Sequence, residues 1–477
     1  MLRRLVEAHP EWPDARLLLT RLLWSKRADD WEEIVRLSEG VPAAYTMRTD
    51  ALTKVAKSRL AADDPEGALA AAKEALAARP RDVELMGMAG RAAVELSRLD
   101  EGEAYFRQAL GIEPEHPAIH EALAQLVWMR TADPAKAMAE IEARLAMAPA
   151  EALWWLKPRV ASFVSGPEAA AGAALEAARR HPGNPSFALM AAQCLAEADR
   201  GEEALAFAAA VQEAAPDSPA AIAAMLQAAL ASGQTEWAVW LAEQLRAQRA
   251  PSDQFALAAQ ATAWRVAGDP RFDALYDYVA MVRSYRLETP DGWSSLDGYL
   301  ADLREALLAR HVHRTHPFQQ SIRHGSQTMR GLLGETDPVI AAFFPAVAKA
   351  VDQHLAHLGP GEDPLRSRNS GAWRFQGAWS VKLDGGGRHL NHVHQDGWLS
   401  SAFYVATPDQ ALGRDGREGW IKFGEPGLVT RPRLEPQHFV KPEPGTVVLF
   451  PSYMWHGTEP FSGDETRLTI AFDVVPR

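Results

Sequence analysis

The chain has 477 residues, 47% hydrophobic and 23% charged, with a formal net charge of -12. That length predicts two domains or a long repeat array, and the acidic balance excludes non-specific nucleic-acid binding, which needs a basic surface. The single cysteine, Cys194, excludes an intrachain disulfide and reads as core packing. No apolar run approaches the roughly 20 residues of a membrane span, so no membrane partner is expected. Met1-Leu-Arg-Arg is basic but no apolar stretch follows, so a signal peptide is not expected and a cytoplasmic location is the default.

Composition shifts along the chain. Residues 51–250 are rich in alanine, whereas eleven of the fifteen histidines follow residue 300. Alanine favours close helix packing and clustered histidines suit a metal site. The boundary is placed near Gly268-Asp269-Pro270, giving domains 1–268 and 269–477, with a β-core at about 371–477.

In the first domain Pro80, Pro114, Pro149, Pro182, Pro216 and Pro251 recur at steps of 34, 35, 33, 34 and 35 residues. Pro10 and Pro42 extend the ladder upstream with looser spacing. Twelve positions before five of these prolines stand Ala68, Gly102, Ala137, Ala170 and Ala204, where a small side chain lets two helices approach. Segments such as Pro65–Leu76 and Asp100–Leu110 carry apolar residues at helical spacing. This stretch resembles tetratricopeptide repeats, with alanine at most of the aromatic signature positions. The resemblance implies an α-solenoid whose concave groove binds a peptide or protein segment, or a scaffold that rigidifies or dimerises the chain. Trp154-Trp155 and the pair Trp237 and Trp240 are candidates for that groove or for the core.

Residues 271–311 and 337–358 read as helices, with Asp297–Leu308 amphipathic. His316–Thr328 is polar and aperiodic and reads as an ordered loop. His311, His313 and His316 lack the i, i+4 spacing of a helical metal site, which points to a surface or loop role. From Trp373 onward, short runs of β-branched and aromatic residues alternate with Gly/Pro turns. Strands are expected at 379–383, 389–394, 399–406, 420–424, 445–452 and 467–475, with a turn at Asp384–Gly387. Such spacing suggests a sandwich or barrel of jelly-roll type.

The chemistry centres on residues 389–396, His-Leu-Asn-His-Val-His-Gln-Asp. As a strand, it puts His392, His394 and Asp396 on one face. With His456 some sixty residues on, two nearby ligands plus a distant histidine fit a facial-triad Fe(II) site. The first pair is open between His394 with Asp396 and His392 with His394. His389 and His438 read as exposed or structural, and Trp398 and Trp455 as core or pocket walls.

The run Gly386-Gly-x-His-x-x-His-x-His-x-x-Gly-Trp-Leu-Ser resembles the Fe(II)/2-oxoglutarate oxygenases. So does Leu449-Phe-Pro-Ser-x-x-x-His-Gly-Thr-x-Pro-Phe, followed by Arg467-Leu-Thr-Ile-Ala-Phe. The likeness covers about 320–477 and is closest to a bacterial and phage branch sometimes fused to tetratricopeptide repeats. It implies a double-stranded β-helix with flanking helices. It also implies Fe(II) as cofactor, 2-oxoglutarate and O2 as cosubstrates, and His394 and His456 as catalytic ligands. Arg467 is then the partner of the far carboxylate of 2-oxoglutarate, with Thr469 and Tyr404 beside it. The expected reaction couples decarboxylation of 2-oxoglutarate to succinate with hydroxylation of a substrate. That substrate is a protein or peptide side chain delivered by the repeats, or a small metabolite with the repeats used for assembly. A third reading is a repeat-based interaction protein whose barrel has lost catalysis.

Overall fold

A computed structural model describes residues 1–25, 31–37, 47–215, 217–409, 412–413 and 416–477. Pro42 and Pro216 of the proline ladder lie outside the described residues. Two compact units divide the chain: Met1–Leu126 with Ala139–Leu153, and Val127–Met138 with Trp154–Arg477.

The first unit is helical. Helices Pro65–Ala78, Val83–Glu95 and Leu99–Ile112 follow one another through short turns, and Pro80 sits in one of those turns. A second set of prolines has another role. Pro65 opens its helix at the first position, where the missing N–H is no loss. Asp64 and Asp82 cap their helices, accepting from Gly67 N at 2.9 Å and Leu85 N at 3.1 Å. Each such cap contributes about 1 kcal/mol. The small positions of the repeat are buried, as expected for Ala68 and Gly102. A Cβ on Gly102 would meet Val94 Cγ2 at 2.7 Å, so the facing helix admits nothing larger.

The second unit continues the hairpins and adds the sheets. Ala137, Ala170 and Ala204 are buried here. Gly201 opens its helix against the backbone of Ala231, where a Cβ would stand 2.5 Å from a carbonyl carbon. The tryptophans divide: Trp154 is buried, Trp237 half-buried, and Trp240 exposed. Trp155 stacks on Phe187 at 4.9 Å.

The strands are β1 (Arg283–Arg286), β2 (Ile322–Gln327), β3 (Trp373–His389), β4 (Leu399–Ala406), β5 (Ile421–Phe423), β6 (His438–Val440), β7 (Thr446–Pro451), β8 (His456–Thr458) and β9 (Arg467–Pro476). They form an antiparallel six-stranded sheet in the order β1-β7-β4-β9-β3-β2 and a three-stranded sheet in the order β6-β5-β8. Phe423 of the small sheet meets Phe450 of the large one at 5.1 Å, within one apolar core.

Four expectations are corrected. The stretch 271–311 is not all helix, because β1 pairs with β7 in the middle of it. The polar segment His316–Thr328 is not all loop, since Ile322–Gln327 forms the edge strand beside β3. The sheet therefore begins well before residue 371. The glycines after Asp384 do not end a strand: β3 runs from Trp373 to His389, and residues 384–387 are a bulge between the pairs Gly325↔Leu383 and Arg323↔Arg388. Polar edge strands lack the hydrophobic alternation that marks a half-buried strand, which is why β1 and β2 escape a pattern reading.

Packing crosses the expected boundary at Gly268-Asp269-Pro270. Leu257, Ala258 and Ala261 of helix Gln254–Ala267 belong to the same core as β4, β7 and β9. Trp455 Nε1 donates to Thr262 Oγ1 at 2.9 Å, and Arg265 donates to the carbonyls of Gly424 and Glu435 at 2.8 and 2.7 Å. The stretch Pro338–Leu358 is apolar and long enough to cross a membrane by length and composition. Phe343, Val347, Val351 and Leu355 from it are packed in the core.

Candidate metal centre and anion pocket

Three histidines converge. The chain leaves β3 at His389, and His392 then forms an isolated antiparallel bridge with His456 of β8, exchanging N–H···O bonds of 2.9 and 3.1 Å. Two residues on, His394 N donates to Ser452 O at 3.0 Å. The ligand nitrogens of His392, His394 and His456 all lie within 4.8 Å of one another.

The Nδ1 atoms show how the rings are held. That of His392 donates to Leu390 O at 2.8 Å, that of His456 to Met454 O at 3.0 Å, and that of His394 to Asp473 Oδ1 at 2.7 Å. Each acceptor fixes the proton on Nδ1, leaving the Nε2 lone pair for a cation. His392 and His394 aim their Nε2 atoms at each other across 3.2 Å. Two facing lone pairs repel unless a cation lies between them. Two imidazole nitrogens about 2.1 Å from one metal ion, at near right angles, stand about 3.0 Å apart. The donor set therefore fits a divalent metal such as Fe(II). Burial pushes the imidazolium of His392 down to about 3 and that of His456 well below its ordinary value. His392 and His456 are thus neutral and metal-competent at pH 7.

Asp396 is not part of this cluster. It sits exposed on the turn after His394, because the segment is no longer a strand and the period of two no longer governs it. The carboxylate that touches the site is Asp473 on β9, which also accepts from Ser400 Oγ at 2.7 Å.

Arg467, Thr469 and Asp473 alternate along β9 and line one cavity of about 810 Å³ with the three histidines. Arg467 is only 2% exposed. Among the described residues its guanidinium has no ion pair, and Nε has no hydrogen-bond partner. It lies over the Tyr404 ring, 5.1 Å from the centroid. A buried cation without a counter-ion is costly, and its pKa is lowered by desolvation. Such a group is poised for an anion, and the fork suits a carboxylate. Thr469 pairs across the sheet with both Val381 and Tyr404. Tyr404 lies beneath Arg467 and is not a cavity-lining residue; its buried hydroxyl has the Arg467 guanidinium as its polar neighbour.

The remaining candidates fall outside this cluster. His311 is half-buried between Ser326 and Ser380, at 2.8 and 3.0 Å, and His313 and His316 are buried; all three stand in a loop, within the surface-or-loop expectation, and none is exposed. His389 lines the cavity and meets Ser321 Oγ at 2.9 Å. His438 stacks on Tyr278. Trp398 is core, donating to Leu365 O at 3.0 Å, whereas Trp455 is a wall of the cavity. The sequence reading missed Asp473, although it shares a face of β9 with Arg467. It also missed Ser321 and the repeat-helix residues Glu197 and Gln227 of the cavity wall, which no local motif marks.

A helical repeat array joined to an antiparallel two-sheet unit with a His cluster and a buried arginine thus defines the class. Residues 377–473 match the family described as "Putative 2OG-Fe(II) oxygenase", and 59–126 and 161–219 match two tetratricopeptide repeat families. The chain carries tetratricopeptide repeats and a domain of that oxygenase family. No curated protein gives a significant match. Among solved structures, the chain is similar to a Pseudomonas putida prolyl-4-hydroxylase, 16% identical over 43% of this chain and 98% of that one, with TM-score 0.28. It is also similar to a tetratricopeptide repeat protein from Parabacteroides merdae, 11% identical over 53% and 98%, TM-score 0.37. Yeast Tom70 matches at 16% identity over 62% and 59%, TM-score 0.39.

Proposed function

We propose that this protein is an Fe(II)- and 2-oxoglutarate-dependent oxygenase that hydroxylates a protein or peptide side chain held by its repeats. One observation carries the reading: three Nε2 lone pairs and a buried guanidinium with no ion pair among the described residues open into the same cavity. His392, His394 and His456 would hold the metal, with Asp473 orienting His394. Arg467 would grip the distal carboxylate of 2-oxoglutarate, with Thr469 beside it. Fe(II), when bound, supplies the activation of O2 that couples 2-oxoglutarate decarboxylation to oxidation of a C–H bond. The chain's own part is to keep His392 and His456 neutral, to fix all three rings through Nδ1, and to neutralise the cosubstrate away from bulk water. We read the two sheets as a double-stranded β-helix, and the ligand set as all-histidine.

A peptide substrate is favoured over a metabolite because the repeats supply part of the cavity wall. The test is succinate release by purified protein supplied with Fe(II) and 2-oxoglutarate, with and without cell extract. Slow release alone, stimulated by extract protein, is expected. No release under either condition would overturn the oxygenase assignment.

A further inference from the structure

The cavity has two halves. One holds the histidines and Arg467. The other is walled by the first helix of successive repeats: Ser162 and Phe163 from Glu151–Val164, Glu197 from Pro185–Glu197, Gln227 from Pro219–Ser232, and Phe255 from Gln254–Ala267. The inner face of the last four hairpins and the catalytic pocket are thus one space.

The charges of that space are uneven. Arg467 belongs to the cosubstrate end. Arg323 already donates to the carbonyls of Gln320 and Ile322, at 3.2 and 2.7 Å. Asp473 is held by His394 and Ser400. Glu197 and Asp396 line the cavity with no ion pair or hydrogen bond among the described residues. Around them the side chains of Gln227, Gln319, Gln376 and Gln395 also make no hydrogen bond among those residues. Glu197 is accessible from the cavity, yet the walls displace bulk water and push its carboxyl up from its ordinary value. An approaching cation would pair with the carboxylate and offset that rise.

We propose that Glu197, presented by the repeats, selects a positively charged side chain, so that the substrate is a lysyl or arginyl residue of a protein or peptide. The unspent amides suit the polar main chain on either side of that residue. This rests on the oxygenase reading for the reaction but not for the recognition. Glu197 is a specificity residue, not a catalytic one.

The test uses the full chain without metal and four fluorescent peptides. Their sequences are identical except for a central lysine, norleucine, arginine or citrulline, and binding is read by anisotropy. Lysine or arginine should bind roughly 2- to 5-fold more tightly than its neutral isostere. Glu197→Gln should erase most of that preference, and Glu197→Lys should favour a glutamate-centred peptide instead. Glu202→Gln, on the next helix and outside the cavity, should retain the preference. Equal binding of charged and neutral peptides, no binding of any, or an unchanged preference in Glu197→Gln overturns the proposal. Succinate release is scored separately. Its absence with the charge preference intact refutes the oxygenase reading alone, and its presence without the preference refutes the substrate class alone.

Discussion

Replacing Arg467 by alanine tests the anion pocket. The guanidinium is 2% exposed, rests on the Tyr404 ring, and has no ion pair among the described residues. Its desolvation is therefore complete before any ligand arrives, and a carboxylate gains the charged hydrogen bonds at little further cost. Truncation removes them and leaves the carboxylate unpaired in a poorly hydrated cavity. The expected loss is about 2–5 kcal/mol, or roughly 30-fold to several-thousand-fold in affinity. Arg467→Lys keeps the charge but not the fork, so it should restore only part. Calorimetric titration of 2-oxoglutarate into Mn(II)-loaded wild type and variants reads this directly, with circular dichroism confirming the fold. An unchanged 2-oxoglutarate affinity in a folded Arg467→Ala protein would refute the assignment of this pocket.

Asp473→Asn should weaken metal affinity about 10- to 100-fold, because the carboxylate orients His394; unchanged affinity would remove Asp473 from the site. Acid should destabilise the protein through its buried histidines. Burial pushes His311 down to about 4 and His354 to about 3. Below about pH 6.5 the unfolded chain takes up protons that the folded chain refuses. Stability is then lost as pH falls from 6.5 towards 4, by at most roughly 1.4 kcal/mol per pH unit per histidine. Flat melting temperatures between pH 7 and 5 would contradict this. A 269–477 fragment should fail to fold, since it lacks Leu257, Ala258 and Thr262 against the sheet core; a soluble, cooperatively melting fragment would show that the boundary is one of packing after all.

The repeat array was legible because its signal is periodic: prolines in turns and small residues at helix crossings recur every 34 or so residues. Long buried strands such as Thr446–Pro451 and Arg467–Pro476 were legible from their β-branched and aromatic runs. The site was legible in part. His456 and Arg467 stand at the first positions of β8 and β9, next to the strand signals, and both line the cavity. Asp396 looked equivalent to His392 because a strand was assumed through residue 396. The chain leaves β3 at His389, and a turn carries Asp396 to the surface. Asp473 and Glu197 were invisible as site residues because only tertiary packing brings them to the histidines' cavity, and neither sits in a motif.

The central claim is that His392, His394 and His456 hold one metal ion beside the 2-oxoglutarate pocket. Anaerobic titration of Fe(II) into protein and 2-oxoglutarate, followed by the visible charge-transfer band of the chelate, tests it. The account predicts saturation at about one Fe(II) per chain in wild type. The band should vanish in His392→Ala and His456→Ala and persist in Asp396→Ala. A band that survives His392→Ala but is lost in Asp396→Ala would contradict the ligand set, and no band in wild type would contradict the site itself.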